Sequence, residues 1–378
     1  MAPFDKERKN MTQTVMICAG GTGGHMFPAL SLAEDLKSRG CRVVVVTDKR
    51  AVKYTDGYDD LNVNVISSST LPSGLLGKVK GLFLLAYGYF QSHRLINKYA
   101  PSLVIGFGGY PSMPPMIVAQ RGDIMTIIHE QNAVLGKANA YLATKADRIA
   151  LSLPEMSSLD EQDSMRAVVT GNPVRSEISA LYSHPYNTPD TDEPFGLTVM
   201  GGSLGAKVMA QNIPQALASL PQELKSRLNV IQQCHAEDMD EVQSIYNDAG
   251  ISVQLAPFFD DVPEILKKSH LVIARSGAST VSEIAIAGIP AIYIPYPHHV
   301  DQQQKVNAES IAKLDGAWVM EEKNLNASTL AARIESLMLS PETLFRAAEG
   351  ARAAAKPEAT RKLGNLVIAL LKGWDKNA

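Results

Sequence analysis

His25 closes a run of unusual chemistry, Gly20-Gly-Thr-Gly-Gly-His25, set behind the apolar Met16-Ile-Cys-Ala19 and ahead of a helical pattern over residues 29–37. Glycines in such a place let backbone approach a ligand, and a helix start aims free N–H groups at an anion. Two familiar patterns come near and neither fits. A dinucleotide fingerprint counted from Gly21 and Gly23 needs its third glycine where Met26 stands. A P-loop needs a terminal Gly-Lys-Ser/Thr, and none follows. The loop is therefore expected to meet a phosphate or a sugar outside a standard NAD or ATP pocket. A helix start disfavours positive charge on His25 and lowers its pKa, so a neutral imidazole there can take a proton from a hydroxyl. A hydrogen-bonding, structural histidine is the alternative.

Three further clusters carry polar chemistry. Gly201-Gly-Ser-Leu-Gly-Ala-Lys207 imitates a P-loop but has Ala206 for its glycine and Val208 for its hydroxyl residue. Ser203 and the loop N–H groups remain diphosphate donors, with a plain tight turn as the alternative. Arg275-Ser-Gly-Ala-Ser-Thr-Val-Ser-Glu283 offers a cation, hydroxyls and helix-start N–H groups together. Glu283 fits two roles, a partner of the helix dipole or a holder of a ribose diol. The polar groups of His298-His-Val-Asp-Gln-Gln-Gln304 suit sugar hydroxyls, and His129-Glu-Gln-Asn132 ends a strand as a binding cluster would.

The elements that must hold these clusters alternate strand with helix. Short buried strands are expected at 15–19, 42–47, 103–106, 125–129 and 148–151, with helices between them, as in a parallel sheet. Gly171-Asn-Pro-Val-Arg175 and the Pro/Asp/Thr-rich stretch 184–194 interrupt this rhythm. It then restarts with strands at 195–200, 229–233, 253–256, 271–274 and 291–294, and a helix over 206–217. Two strand–glycine-loop–helix openings predict two Rossmann-like domains. Their ligands lie beyond the carboxyl ends of the strands. The expected boundaries are 1–174, 175–356, and a basic amphipathic helix in 357–378 packing back on the first domain.

Composition limits the rest. The 378 residues carry a net charge of −3, 45% hydrophobic and 20% charged residues, which suits two folded domains and argues against a nucleic-acid binder. Cys18, Cys41 and Cys234 are odd in number and show no CxxC spacing, so neither a disulfide framework nor a zinc site is expected. No signal peptide or spanning helix is expected, which points to a cytoplasmic address. The 39 acids of the chain leave residues 61–122 empty of Asp and Glu. That stretch holds Lys78, Lys80, Arg94, Lys98 and Arg121 beside Leu82-Phe-Leu-Leu-Ala-Tyr-Gly-Tyr-Phe90. A surface over 72–98 that rests on anionic lipid fits this pattern, against a buried helix with solvated ends. The missing acids favour the lipid surface.

In order along the chain, Gly20-Gly-Thr-Gly-Gly-His25, Gly108-Gly-Tyr-Pro-Ser112, His129-Glu-Gln-Asn132, Gly171-Asn-Pro-Val-Arg175, Gly201-Gly-Ser-Leu-Gly-Ala206, Arg275-Ser-Gly-Ala278 and Asp301-Gln-Gln-Gln304 resemble one family. It is that of the MurG-type N-acetylglucosaminyltransferases of bacterial peptidoglycan synthesis, and the likeness runs from about residue 14 to 371. The resemblance implies a GT-B fold, with two Rossmann-like domains around a deep cleft. It implies inverting transfer of N-acetylglucosamine from UDP-N-acetylglucosamine to the 4-hydroxyl of the muramyl sugar of lipid I, giving lipid II. It gives the donor Ser203, Phe259 (through its backbone, with Phe258 nearby), Ala278, Ser279, Thr280, Val281, Ser282, Glu283, Gln303 and Gln304. Glu283 then holds the ribose.

Thr22, Gly23, Gly24, Asn132 and Arg175 complete the donor site by the same resemblance, while His25, Tyr110, His129 and Glu130 fall on the acceptor side. His25 is the implied base. No Asp-x-Asp motif stands beside the diphosphate loops, so no metal or other cofactor is expected, UDP-N-acetylglucosamine being a substrate. The polyprenyl anchor of lipid I implies a peripheral protein on the cytoplasmic face of the inner membrane. Phe259 departs from a commonly aliphatic position, and residues 1–12 match no motif of the family. Competing readings are a lipid glucosyltransferase or UDP-sugar epimerase of the same fold, and an NAD-dependent dehydrogenase suggested by Asp48 at the end of the second strand. A membrane scaffold explains the basic stretch but not the two glycine loops.

Overall fold

Strand β1 (Thr14–Cys18) is buried along its whole length, because its apolar run is covered on both faces. In the computed structural model, which describes residues 13–69, 74–154, 159–202, 207–298 and 301–373, β1 is an interior strand of a seven-stranded parallel sheet. Its other strands are β2 (Arg42–Thr47), β3 (Asn62–Val65), β4 (Leu103–Gly106), β5 (Met125–Glu130), β6 (Arg148–Leu151) and β7 (Ala167–Val169), in the order β3-β2-β1-β4-β5-β6-β7. Successive side chains of a strand point to opposite faces. Val15 and Ile17 therefore join one core with Leu30, Ala33 and Leu36 of the helix Gly23–Ser38. Met16 and Cys18 join the other, with Ile96, Tyr99, Met116 and Val118. The helix Ala359–Leu371 supplies Leu363, Leu366, Val367 and Leu370 to the first of these cores.

A second parallel sheet follows the same plan. It consists of β8 (Phe195–Met200), β9 (Leu228–Gln233), β10 (Ser252–Ala256), β11 (Leu271–Ala274), β12 (Ala291–Tyr293) and β13 (Ala317–Val319), ordered β10-β9-β8-β11-β12-β13. By contacts the chain divides into one unit of Met1–Arg175 with Glu358–Ala378, and another of Ser176–Pro357. Arg175 thus groups with the first unit and Pro357 with the second.

The strands expected from apolar runs lie within one residue of those observed. Three more occur at sheet edges: β3, β7 and β13. An edge strand is covered less completely, and β3 reads Asn-Val-Asn-Val with no buried residue. β3 has no continuous apolar run, and β7 (Ala-Val-Val) and β13 (Ala-Trp-Val) are only three residues long. The first helix also starts earlier than its propensity suggests, at Gly23, with Pro28 inside it. Two glycines and a proline are poor helix formers, yet Gly23, Met26, Pro28 and Ala29 are all buried there. Packing decides the start.

One of the buried polar residues is a histidine with a strongly shifted pKa. His129, on β5, is fully buried with its ring 4.9 Å from that of Phe107. Its Nε2–H donates to the carbonyl of Gly171 at 3.1 Å, and Nδ1 has no hydrogen-bond partner. Burial pushes its pKa down to about 4, the Gly171 bond opposing the shift and nearby His25 adding to it. The folded chain thus refuses a proton that the unfolded chain accepts between about pH 6.5 and 4, so stability falls as the pH falls through that window. The loss attributable to His129 is on the order of 3 kcal/mol. Urea unfolding of the full chain at pH 7 and pH 4.5 tests this: His129→Gln should lose less stability on acidification than the parent, and an equal loss contradicts it.

Candidate active site

Where strand order reverses, in an open parallel sheet, the connections leave in opposite directions and open a crevice at the carboxyl ends. In the first unit the reversal lies between β1 and β4. The glycine run 20–24 follows β1, and Phe107-Gly-Gly-Tyr-Pro111 follows β4. These two connections touch. A side chain at Gly20 would stand 2.7 Å from Cγ of Pro111, and one at Gly109 would stand 3.0 Å from the carbonyl oxygen of Gly20. Gly108 and Gly109 also hold φ of +83° and +73°, a region that disfavours side chains.

His25 sits in the first turn of the helix Gly23–Ser38, behind Thr22, which caps the helix without a side-chain bond. It is half-buried, and its ring lies against Gly108 and Gly109. Nδ1 of His25 meets Oε1 of Gln131 at 3.3 Å. Its pKa is lowered chiefly by burial, while Glu130 and the Gln131 and Phe107 carbonyls pull the other way. Desolvation therefore lowers it, where the helix start was the expected cause. A neutral imidazole at neutral pH is the result.

The other first-unit candidates divide into those facing the crevice and those beneath it. Thr22 and Gly24 are exposed, Gly23 is buried, and Tyr110 is half-buried on the turn Tyr110–Ser112. His129 and Glu130 are enclosed, so their side chains shape the site from below and do not form its surface. Oε1 of Glu130 accepts from the N–H and the side-chain amide of Asn132 at 3.0 and 3.1 Å; Oε2 accepts from Gly136 N–H at 3.0 Å and the Asn139 amide at 2.8 Å. The loop after β5 is wound around this carboxylate. Arg175 lies with its guanidinium 5.0 Å from the centre of the Phe27 ring.

Asp48 has a task that the dehydrogenase reading did not foresee. It is buried, accepts from Gly21 N–H at 3.3 Å, and takes Ser68 Oγ and the Arg50 guanidinium on its other oxygen. It braces the glycine loop. Both oxygens are engaged within the unit, so the hint of a dinucleotide ribose site is not sustained.

The second unit repeats the arrangement. Its order reverses between β8 and β11, followed by Gly201-Gly202 and Arg275-Ser-Gly277. Ser203 lies outside the described residues, as does His299. Gly277 opens the helix Ala278–Ala287, whose first residues Ala278, Ser279 and Thr280 are half-exposed. The N–H groups of a helix's first turn have no carbonyl within the helix to meet. Val281 is buried, Ser282 donates to the Ala278 carbonyl, and Glu283 is 8% exposed one and a half turns in. Gln304 accepts the Tyr296 N–H through Oε1, and Gln303 beside it is half-exposed next to Asp301. The Phe259 side chain is buried and Phe258 is 57% exposed, so Phe259 has its backbone to offer.

One residue of this unit departs from its sequence reading and another had none. Arg275 is buried and donates through NH1 to the Ile294 and Pro295 carbonyls, with NH2 on Glu322 at 2.6 Å. It braces the connection after β12, where a free cation for an anion was expected. Gln233, which carried no expectation, accepts Gly202 N–H at 3.3 Å and donates to the Pro257 carbonyl at 3.1 Å. It ties the glycine loop to the segment that leads to Phe259. The only sequence signal for it is a polar residue ending the strand beside β8.

Known proteins bear on both halves. The glycosyltransferase family 28 N-terminal domain matches residues 15–151 and its C-terminal domain residues 196–363. The UDP-N-acetylglucosamine–N-acetylmuramyl-(pentapeptide) pyrophosphoryl-undecaprenol N-acetylglucosamine transferase of Rhodospirillum centenum is 44% identical, over 94% of this chain and 93% of its own length. Its namesake from Caulobacter vibrioides is 41% identical over 94% and 99%. The crystal structure of Acinetobacter baumannii MurG superposes with a TM-score of 0.75 at 29% identity, covering 94% of this chain and 99% of its own. A putative UDP-N-acetylglucosamine 2-epimerase from Listeria monocytogenes, 15% identical with a TM-score of 0.69 over 97% of this chain and 98% of its own, shares the fold alone. With both domains matched and full-length relatives above 40% identity, the chain belongs to glycosyltransferase family 28 and is a glycosyltransferase of the GT-B fold.

Proposed function

We propose that the chain transfers N-acetylglucosamine from UDP-N-acetylglucosamine to the 4-hydroxyl of the N-acetylmuramyl sugar of lipid I, with inversion, forming lipid II. The observation that carries this reading is a half-exposed histidine, held neutral, at the glycine-lined switch point of the first unit. In a single displacement the acceptor oxygen bonds to the anomeric carbon as the bond from that carbon to the diphosphate breaks. The hydroxyl proton passes to His25, and the electron pair leaves on the diphosphate oxygen of UDP. Helix-start N–H groups at Ala278–Thr280 and the loop containing Ser203 stabilise that growing charge, and no metal or other cofactor is invoked. Glu283 holds the ribose, the Phe259 backbone meets the uracil, and Gln303 and Gln304 take the sugar hydroxyls. Thr22, Gly23, Gly24, Asn132 and Arg175 contribute to the donor sugar, and Tyr110 to the acceptor.

The acceptor's lipid anchor asks for a membrane surface, and the helix Leu75–Tyr99 supports one. Val79, Leu82, Phe83, Tyr87 and Phe90 recur at helical spacing and are exposed, Phe83 by 72% and Phe90 by 66%. Lys78, Lys80, Arg94 and Lys98 are exposed on the same helix. Among the described residues no helix is long and apolar enough to cross a membrane. We place the protein peripherally at the cytoplasmic face of the bacterial inner membrane, with this helix against anionic headgroups.

The purified chain should release UDP from UDP-N-acetylglucosamine only when a lipid I analogue is present. Failure to do so removes the reading. His25→Ala should lower kcat by about 10²-fold, with the KM for the donor within about twofold; a raised donor KM with kcat preserved would make His25 a binding residue. In co-sedimentation with phosphatidylglycerol–phosphatidylethanolamine vesicles, the pair Phe83→Asp and Phe90→Asp should weaken association by about tenfold or more while the thermal melt holds. Undiminished sedimentation would take the helix off the membrane.

A further inference from the structure

We propose that Gln131 is a positioning residue for the transfer: it fixes the proton of neutral His25 on Nδ1 and leaves Nε2 free to receive the proton of the acceptor hydroxyl. The proposal rests on the reading of His25 as the base. Gln131 is 3% exposed, in the connection after β5. Its amide nitrogen donates to the carbonyl of Phe107 at 2.8 Å. That carbonyl can only accept, so the amide cannot turn over without losing the bond. Oε1 is therefore the atom that faces Nδ1 of His25, at 3.3 Å. An amide oxygen also only accepts, so Nδ1 must carry the hydrogen. One backbone carbonyl, through one side chain, sets the tautomer of a ring two elements away.

The Phe107 carbonyl also acts on the His25 ring directly, favouring its protonated form, and the rest of the surroundings holds the ring in place. Gly108 and Gly109 lie against Cε1 and Cδ2, where they restrict rotation without offering a side-chain donor. The titratable groups that act on His25 are Glu130, whose carboxylate receives three donors from its own loop and one from Asn139 on the helix that follows, and His129, kept neutral by burial. Neither donates to His25 in the described contacts. A base held in the wrong tautomer presents a hydrogen where a lone pair is required, and catalysis fails while substrate binding persists.

The test uses the full chain with 15N-labelled histidine, His25 being assigned by its loss in His25→Gln. The parent should show the Nδ1–H form of neutral His25. Gln131→Met removes the acceptor: the Nε2–H form should gain population, and kcat should fall by about 10²-fold with the donor KM within about twofold. Gln131→Glu keeps an acceptor and adds charge, so the Nδ1–H form should persist and the His25 pKa, with the acid limb of kcat/KM, should rise by about one unit. This second variant tests the contact even if the first folds poorly. A His25 that stays Nδ1–H in Gln131→Met, or whose titration does not move in Gln131→Glu, overturns the proposal. A tautomer that switches while turnover is unchanged overturns instead the reading of His25 as the base.

Discussion

The reversal of strand order beside β1, and again beside β8, is the constraint on which the rest depends. It leaves two connections per sheet that diverge from adjacent strand ends, and the space between them is open to a ligand. In the first unit that space exists only because backbone packs against backbone. The Gly20 carbonyl and Gly109 stand so close that a methyl group on the latter would meet the former at 3.0 Å. Glycine is required there by contact, and at Gly108 and Gly109 by conformation as well.

Each crevice is then held by a polar side chain from the neighbouring strand end. Asp48 follows β2 and accepts the Gly21 N–H; Gln233 ends β9 and accepts the Gly202 N–H. The two units thus use the same device in the same topological place, though one uses a carboxylate and the other an amide. A charged brace suits the first unit, where Arg50 balances it. In the second unit a neutral amide adds no negative charge beside a loop proposed to receive a diphosphate. Burial supplies the remaining electrostatics: it lowers the pKa of both His25 and His129, but only His25 remains accessible.

Much of this was legible in the residues, for identifiable reasons. Central strands are buried on both faces and so announce themselves as apolar runs, whereas at the edges β3 is half polar and β7 and β13 are only three residues long. Glycine loops and His25 are visible because their residue types are rare in that order. What the chain alone conceals is direction. Arg275 reads as a cation for a ligand, yet its guanidinium turns inward onto the Ile294 and Pro295 carbonyls. Glu130 reads as part of a binding cluster on the acceptor side and is enclosed by the loop that it organises. Gln131 meets His25 across 106 residues of sequence, and Gln233 meets Gly202 across 31, so their roles come from topology and not from local pattern.

The central claim is that the two switch points have divided the work, the second taking the nucleotide and the first the acceptor. Hydrogen–deuterium exchange of the full chain with UDP alone tests this most directly. The account predicts slowed exchange at Gly202 and across residues 277–283 and 303–304, with residues 20–25 unchanged. Protection confined to residues 20–25, with the second unit unaffected, would contradict it.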